Sequence, residues 1–149
     1  MKFLTSLIFG IILTSFFVGF PNIKIFSLPF TFLCIILGIS INFLTGFAIA
    51  TIAFWVEDAN PFHWIYDKII FILGGLMFPL EILLEYLQKV ALNLPTAYFL
   101  YFPSKLFVNF SFIFFLEILF KQVIIILLLI CLVSLLLKIG FKKVSINGG

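Results

Sequence analysis

The chain has 149 residues, 64% of them apolar and only 10% charged, where soluble domains average roughly 45 to 50% and about 25%. Nine lysines, no arginine and six acids are too few to solvate a 17.1 kDa object, and a mean hydropathy of +1.36 excludes a water-soluble fold. The net charge of +3 does not point to nucleic acid either, because the lysines are scattered singly until the last dozen residues and form no basic stripe. The composition is that of an integral membrane protein.

At about 20 residues per span, the length allows three to five crossings in one transmembrane unit, residues 1 to 149. Cys34 and Cys131 both sit inside apolar runs at a separation that matches no metal or redox spacing.

The first uncharged run, Phe3 to Ile23, would rise about 30 Å as a helix and so can span. It is longer than a secretory h-region and lacks a small-x-small cleavage site, which argues against a signal peptide. Ser6, Gly10 and Thr14 recur every fourth residue and form a small stripe suited to close helix contact, or arise by chance in a low-polarity span.

The second run, Ile25 to Val56, is too short for two spans and a turn, so one long tilted helix is expected. Ser27 as N-cap and Pro29 in the first turn would start it, and Glu57-Asp58 with Asn60-Pro61 would stop it. Gly38, Asn42, Gly46 and Ala50 fall on one i, i+4 line. They make a helix-packing face with one amide that can bond a neighbouring helix or, alternatively, touch a transported solute.

Residues 57 to 68, EDANPFHWIYDK, read as an interfacial loop, since Trp64 and Tyr66 favour the headgroup zone. One imidazole, His63, with no second His or Cys is a weak metal signal, and no metal site is expected. The next apolar run, Ile69 to Leu80, is about 18 Å as a helix and contains Gly74-Gly75 and Phe78-Pro79. A short or broken helix ending at Pro79 is expected, with Gly74, Gly75 and Pro79 as the helix break.

Beyond it Glu81, Glu85, Gln88, Lys89 and Asn93 share one helical face until Pro95, the pattern of an amphipathic helix lying in the interface. Residues 96 to 107, TAYFLYFPSKLF, read as aromatic-belt material around Pro103. A last helix is expected over 111 to 138, with Glu117 and Lys121 four apart. Lys121 and Lys138 are about 25 Å apart along it. Lys138, Lys142 and Lys143 are the only positive cluster, which places the C-terminus in the cytoplasm. The expected fold is therefore an all-α integral membrane unit of about four membrane segments, three full spans and one broken or re-entrant helix, plus the interfacial amphipathic helix.

Phosphate-loop, dinucleotide, zinc-protease and nucleophile-elbow motifs are all absent. No catalytic residue, cofactor or enzyme activity is expected. Deep intramembrane ionisable residues, the usual mark of ion coupling, are also lacking on this reading, which favours an energy source on another polypeptide.

From Ala53 to Val108 the order of features resembles the membrane subunits of type-2 ATP-binding-cassette (ABC) exporters. These features are an aromatic-Trp-acid helix end, a glycine-containing helix broken by Phe-Pro-Leu, the segment EYLQKVALNLP, an aromatic-Pro turn and a last helix. The likeness extends from about Leu28 to Gly149, although members commonly carry proline where Leu84 stands. It implies a multi-pass permease of the plasma (inner) membrane, of which this chain looks like the C-terminal half. It also implies pairing with a second permease subunit as a homo- or heterodimer and power from a separate ABC ATPase subunit. On that reading residues 3 to 23, 28 to 56, 64 to 80 and 111 to 138 correspond to the third to sixth helices. The loop with Glu57, Asp58, His63, Asp67 and Lys68 would be an ATPase contact. The alternative is a truncated or scaffold membrane protein without transport activity of its own.

Overall fold

The computed structural model describes residues 25–56 and 58–147, with positions 5, 8, 9, 12 and 16 before them, and side chains as far as residue 143. Most of the span expected over 3 to 23, with its Ser6, Gly10 and Thr14 stripe, lies outside the described residues, as does Glu57. Among the described residues every regular element is helical. A 3-10 turn, Ile25–Ser27, leads into α1 (Leu28–Ala50), which tightens into a second one, Thr51–Phe54. Then follow α2 (Asn60–Leu73), a 3-10 turn at Leu80–Ile82, α3 (Glu85–Asn93), α4 (Pro95–Phe99), α5 (Tyr101–Val108) and α6 (Phe112–Asn147).

Two stretches, Ile25–Phe54 and Phe112–Lys143, are long and apolar enough to cross a membrane. Helix α1 starts where Ser27 and Pro29 indicated, but Ser27 sits in a 3-10 turn and its side chain makes no capping bond. Inside α1 the hydroxyls of Ser40 and Thr45 donate to the carbonyls of Ile36 (3.0 Å) and Ile41 (2.8 Å). These two hydroxyls are thus satisfied within their own helix, as suits an apolar solvent.

Helices α1 and α6 pack side by side in the same direction. Phe30, near the start of α1, meets Phe112 and Phe115 near the start of α6, at 6.0 and 5.0 Å between ring centroids. Further along, Ile41 shares a buried cluster with Leu129. At the far end Phe54 packs edge-on to Phe141 at 5.4 Å and lies against Gly140, where there is no room for a side chain. The buried core is narrow and centred on this seam: Cys34, Leu106, Phe115 and Ile118 at one level, Ile41, Tyr98 and Leu129 at the next. Most other large apolar side chains are exposed, as suits a lipid-facing surface.

Several sequence expectations need correction. Residues 57 to 68 are not a loop beyond Ala59. Asn60-Pro61, read as a stop for the preceding helix, opens the next one, because a proline at the second helical position lacks only an N–H that has no partner there. Helix α2 ends at Leu73 rather than Pro79, and the break comes at Gly74-Gly75, where Gly75 takes a positive φ of 80°. The helix expected to be amphipathic begins at Glu85, four residues later than its polar pattern, because Leu83 and Leu84 are extended. Residues 96 to 107 are two short helices with Thr96, Ala97, Tyr98, Pro103 and Leu106 buried, not a surface belt. The last helix continues past Lys138 to Asn147.

Candidate functional site

The segment between α1 and α6 is where structure and chemistry concentrate. Helix α2 runs back along α1: Gly46 leaves room for the His63 ring, 3.9 Å from where a Cβ would stand. Four residues earlier on α1, Asn42 Oδ1 accepts a hydrogen bond from the Tyr66 hydroxyl at 2.9 Å. His63, Tyr66, Ile70 and Leu73 form the half-buried inner side of α2, and none of its residues is fully buried. Asp67 and Lys68 follow directly on Tyr66, so they stand level with Asn42, about 12 Å along α1 from Ala50. Both therefore stand beside the middle of α1 rather than at its end. The Lys68 ammonium lies 5.2 Å from the centroid of the Trp64 ring, a contact that gains strength as water is removed.

Beyond Leu73 the helix breaks. The Gly74 N–H still reaches the Ile70 carbonyl (2.9 Å) and the Met77 N–H reaches Phe71 (3.1 Å), so part of the opened ladder remains paired. The broken stretch, Gly75 to Pro79, forms one wall of a cleft of about 520 Å³ whose polar side carries Glu81, Tyr101, Ser104, Lys105 and Asn109. A backbone break of this kind needs protein or water beside it, and here it has both a polar wall and open volume.

Glu81, Tyr101 and Lys105 form a closed triangle. The Tyr101 hydroxyl donates to Glu81 Oε1 (2.5 Å), and Lys105 Nζ donates to Glu81 Oε1 (3.1 Å) and to the Tyr101 oxygen (2.8 Å). The triangle joins the 3-10 turn at Leu80–Ile82 to α5.

A second junction fastens the hairpin formed by the return segment from α2 to α5 to both long helices. The Gln122 side chain, fully buried on α6, donates through Nε2 to the Cys34 carbonyl of α1 and the Tyr98 carbonyl of α4, both at 2.9 Å. The Tyr98 carbonyl lies in the last turn of a five-residue helix and would otherwise be an orphan acceptor. Beside it, Gly38 admits the α4 backbone so closely that a Cβ there would lie 3.0 Å from the Phe99 carbonyl oxygen.

The residues singled out in the sequence thus separate into groups. Gly38, Asn42 and Gly46 face α4 and α2, while Ala50 is exposed and takes no part. Asp58 Oδ1 accepts the Asn60 N–H at 2.9 Å and fixes the entry to α2. Pro79 lies after the break and caps the 3-10 turn at Leu80–Ile82, so it does not end α2. Among the described residues no three His, Cys, Asp or Glu side chains gather to hold a metal ion. Sequence reasoning missed Gln122 and the triangle. A lone glutamine in an apolar run was a signal available for the first, whereas nothing in the spacing of Glu81 and Lys105 indicates the second.

The profile of the ABC-2 family transporter proteins matches residues 1–148, almost the whole chain. The chain belongs to the ABC-2 family of transporter proteins. It is a membrane protein of the permease type, and no curated protein and no solved structure matches it further. Within this ABC-2 chain, the broken return segment and its two junctions are the candidate functional region.

Proposed function

We propose that the chain forms part of the translocation pathway of an ABC exporter, working with a second permease subunit and a separate ATPase, with its C-terminus in the cytoplasm. The observation that carries this reading is the parallel packing of α1 and α6. Two parallel spanning helices require a net crossing between them in the opposite direction, and the only chain available is the broken segment from α2 to α5. A crossing built from half-helices needs protein or water beside its open backbone. The mid-depth charges Asp67 and Lys68 need the same, because ionisable groups facing lipid alone are expensive. A water-accessible path meets both requirements. This reading has three full spans, counting residues 3 to 23, plus the broken fourth segment, with α3 as the interfacial helix.

The charge distribution supports the orientation. Lys138, Lys142 and Lys143 stand at the end of α6 that packs against Phe54, and a positive cluster favours the cytoplasmic side. The turn around Asp58 is then cytoplasmic and available to the ATPase. His63, Asp67 and Lys68 lie progressively farther up α2 and serve the pathway instead. The test has two arms. A membrane-impermeant amine reagent should label Lys142 and Lys143 only after cells are permeabilised, and the membrane-extracted chain should co-purify with an ABC ATPase. Labelling in intact cells would reverse the orientation, and extraction without any nucleotide-binding partner would remove the exporter reading.

A further inference from the structure

We propose that the cleft beside the helix break holds one phospholipid, of the kind whose headgroup joins a primary ammonium to a phosphate, with the ammonium on Glu81 and the phosphate on Lys105. The inference goes beyond the permease reading, since it needs only that the chain lies in a membrane. Depth is what brings lipid to the cleft. Lys105 immediately precedes Leu106, which is buried against Phe115 and Ile118 of α6, so the triangle stands level with the Glu117–Lys121 pair on that helix. From Lys121 to Lys138 no charged residue intervenes, a length of about 25 Å that covers most of a hydrocarbon core. The triangle therefore stands at the edge of the hydrocarbon remote from the lysine cluster, where the headgroups of that leaflet lie.

The lining of the cleft suits both ends of a lipid. Leu76, Met77, Phe78 and Val108 border it and are all exposed, which gives an apolar lining at the depth where acyl chains begin. The polar side is charged but not saturated. Lys105 Nζ has three N–H donors and uses two of them, on Glu81 Oε1 and on the Tyr101 oxygen. The Tyr101 hydroxyl also ends on Oε1, so the triangle makes no use of Glu81 Oε2. It leaves unused one donor and one carboxylate oxygen, on side chains of opposite charge that are both about half exposed. A headgroup ammonium donates to the second and a headgroup phosphate accepts from the first, so that four charges alternate around one ring. A trimethylated ammonium has no N–H to give, and a glycerol headgroup has no cation. The chemistry selects the primary amine.

The experiment reconstitutes the full chain in vesicles of equal parts phosphatidylethanolamine, phosphatidylcholine and phosphatidylglycerol, extracts it in mild detergent and counts the retained lipids by mass spectrometry. The unaltered chain should keep phosphatidylethanolamine in preference to each of the others by about fivefold, the scale of one exposed ion pair. Glu81→Gln, which keeps the shape of the side chain, should lose that preference while still retaining phosphate-bearing lipid through Lys105. Lys105→Gln should lower retention of all three. Ser104→Phe fills the cleft without touching the charges and should release the lipid, with thermal midpoints read on every variant to show that it is folded. Equal retention of the three lipids by the unaltered chain, retention of none, or an undiminished preference in Glu81→Gln would each overturn the proposal.

Discussion

Gln122 on α6 donates a hydrogen bond to the carbonyl of Tyr98 on α4, and the same amide nitrogen reaches Cys34 on α1, so one side chain ties the hairpin to both long helices. Gln122→Leu keeps much of the volume and removes both bonds. Hydrogen bonds between helices in a membrane are worth about 0.6 kcal/mol on average, and the buried Tyr98 carbonyl would also lose a partner. A loss of about 1 to 2 kcal/mol is expected as a lower thermal midpoint in detergent. An unchanged midpoint would mean that the junction is held by packing alone.

Glycines 38 and 46 offer an internal comparison. A methyl group at Gly38 would meet the Phe99 and Tyr98 backbone at 3.0 to 3.1 Å, whereas at Gly46 its nearest neighbour is the edge of the His63 ring at 3.9 Å. Gly38→Ala should therefore push α4 away and reduce stability by about 1 to 3 kcal/mol. Gly46→Ala should be tolerated, and equal melting of the two variants would contradict the close approach at Gly38.

At the break, Gly75 holds a φ of 80°, a conformation that costs other residues about 1 to 3 kcal/mol. Gly75→Val should loosen the hairpin first. Faster proteolysis or hydrogen exchange over residues 74 to 84, with α1 and α6 unaffected, is the expected result.

In the triangle of Glu81, Tyr101 and Lys105, Glu81→Gln removes the charge that both partners contact. Glu81 and Lys105 are each about half exposed, so the variant should melt close to the unaltered chain, with a loss well under 1 kcal/mol, and a large drop in the thermal midpoint would contradict that exposure.

The long elements were legible because an uninterrupted apolar run has few alternatives to a helix, whereas the helix before the break was expected to reach Pro79 and ends at Leu73, where Gly74-Gly75 interrupts the run. Boundaries were harder to read. Asn60-Pro61 carries the signal for the end of one helix and the start of the next, and α2 starts there. The polar junctions were hidden for a different reason. Glu81 and Lys105 are 24 residues apart and Gln122 and Cys34 are 88 apart, and no periodicity links positions that only the folded hairpin brings together.

Parallel neighbours have a consequence for how the chain is made. Antiparallel helices joined by a short turn can associate as soon as the second leaves the insertion machinery, but α1 and α6 cannot, because the whole stretch from Trp55 to Ser111 separates them. Until α6 arrives, Phe30 and Cys34 on α1 lack Phe115 and Ile118, half of their buried cluster, and the Tyr98 carbonyl lacks its donor from Gln122. The last helix is therefore the latch of assembly. A chain stalled or cleaved before Phe112 would leave α1 and the hairpin in the membrane with their common seam open, recognisable to quality-control proteases by that one missing contact.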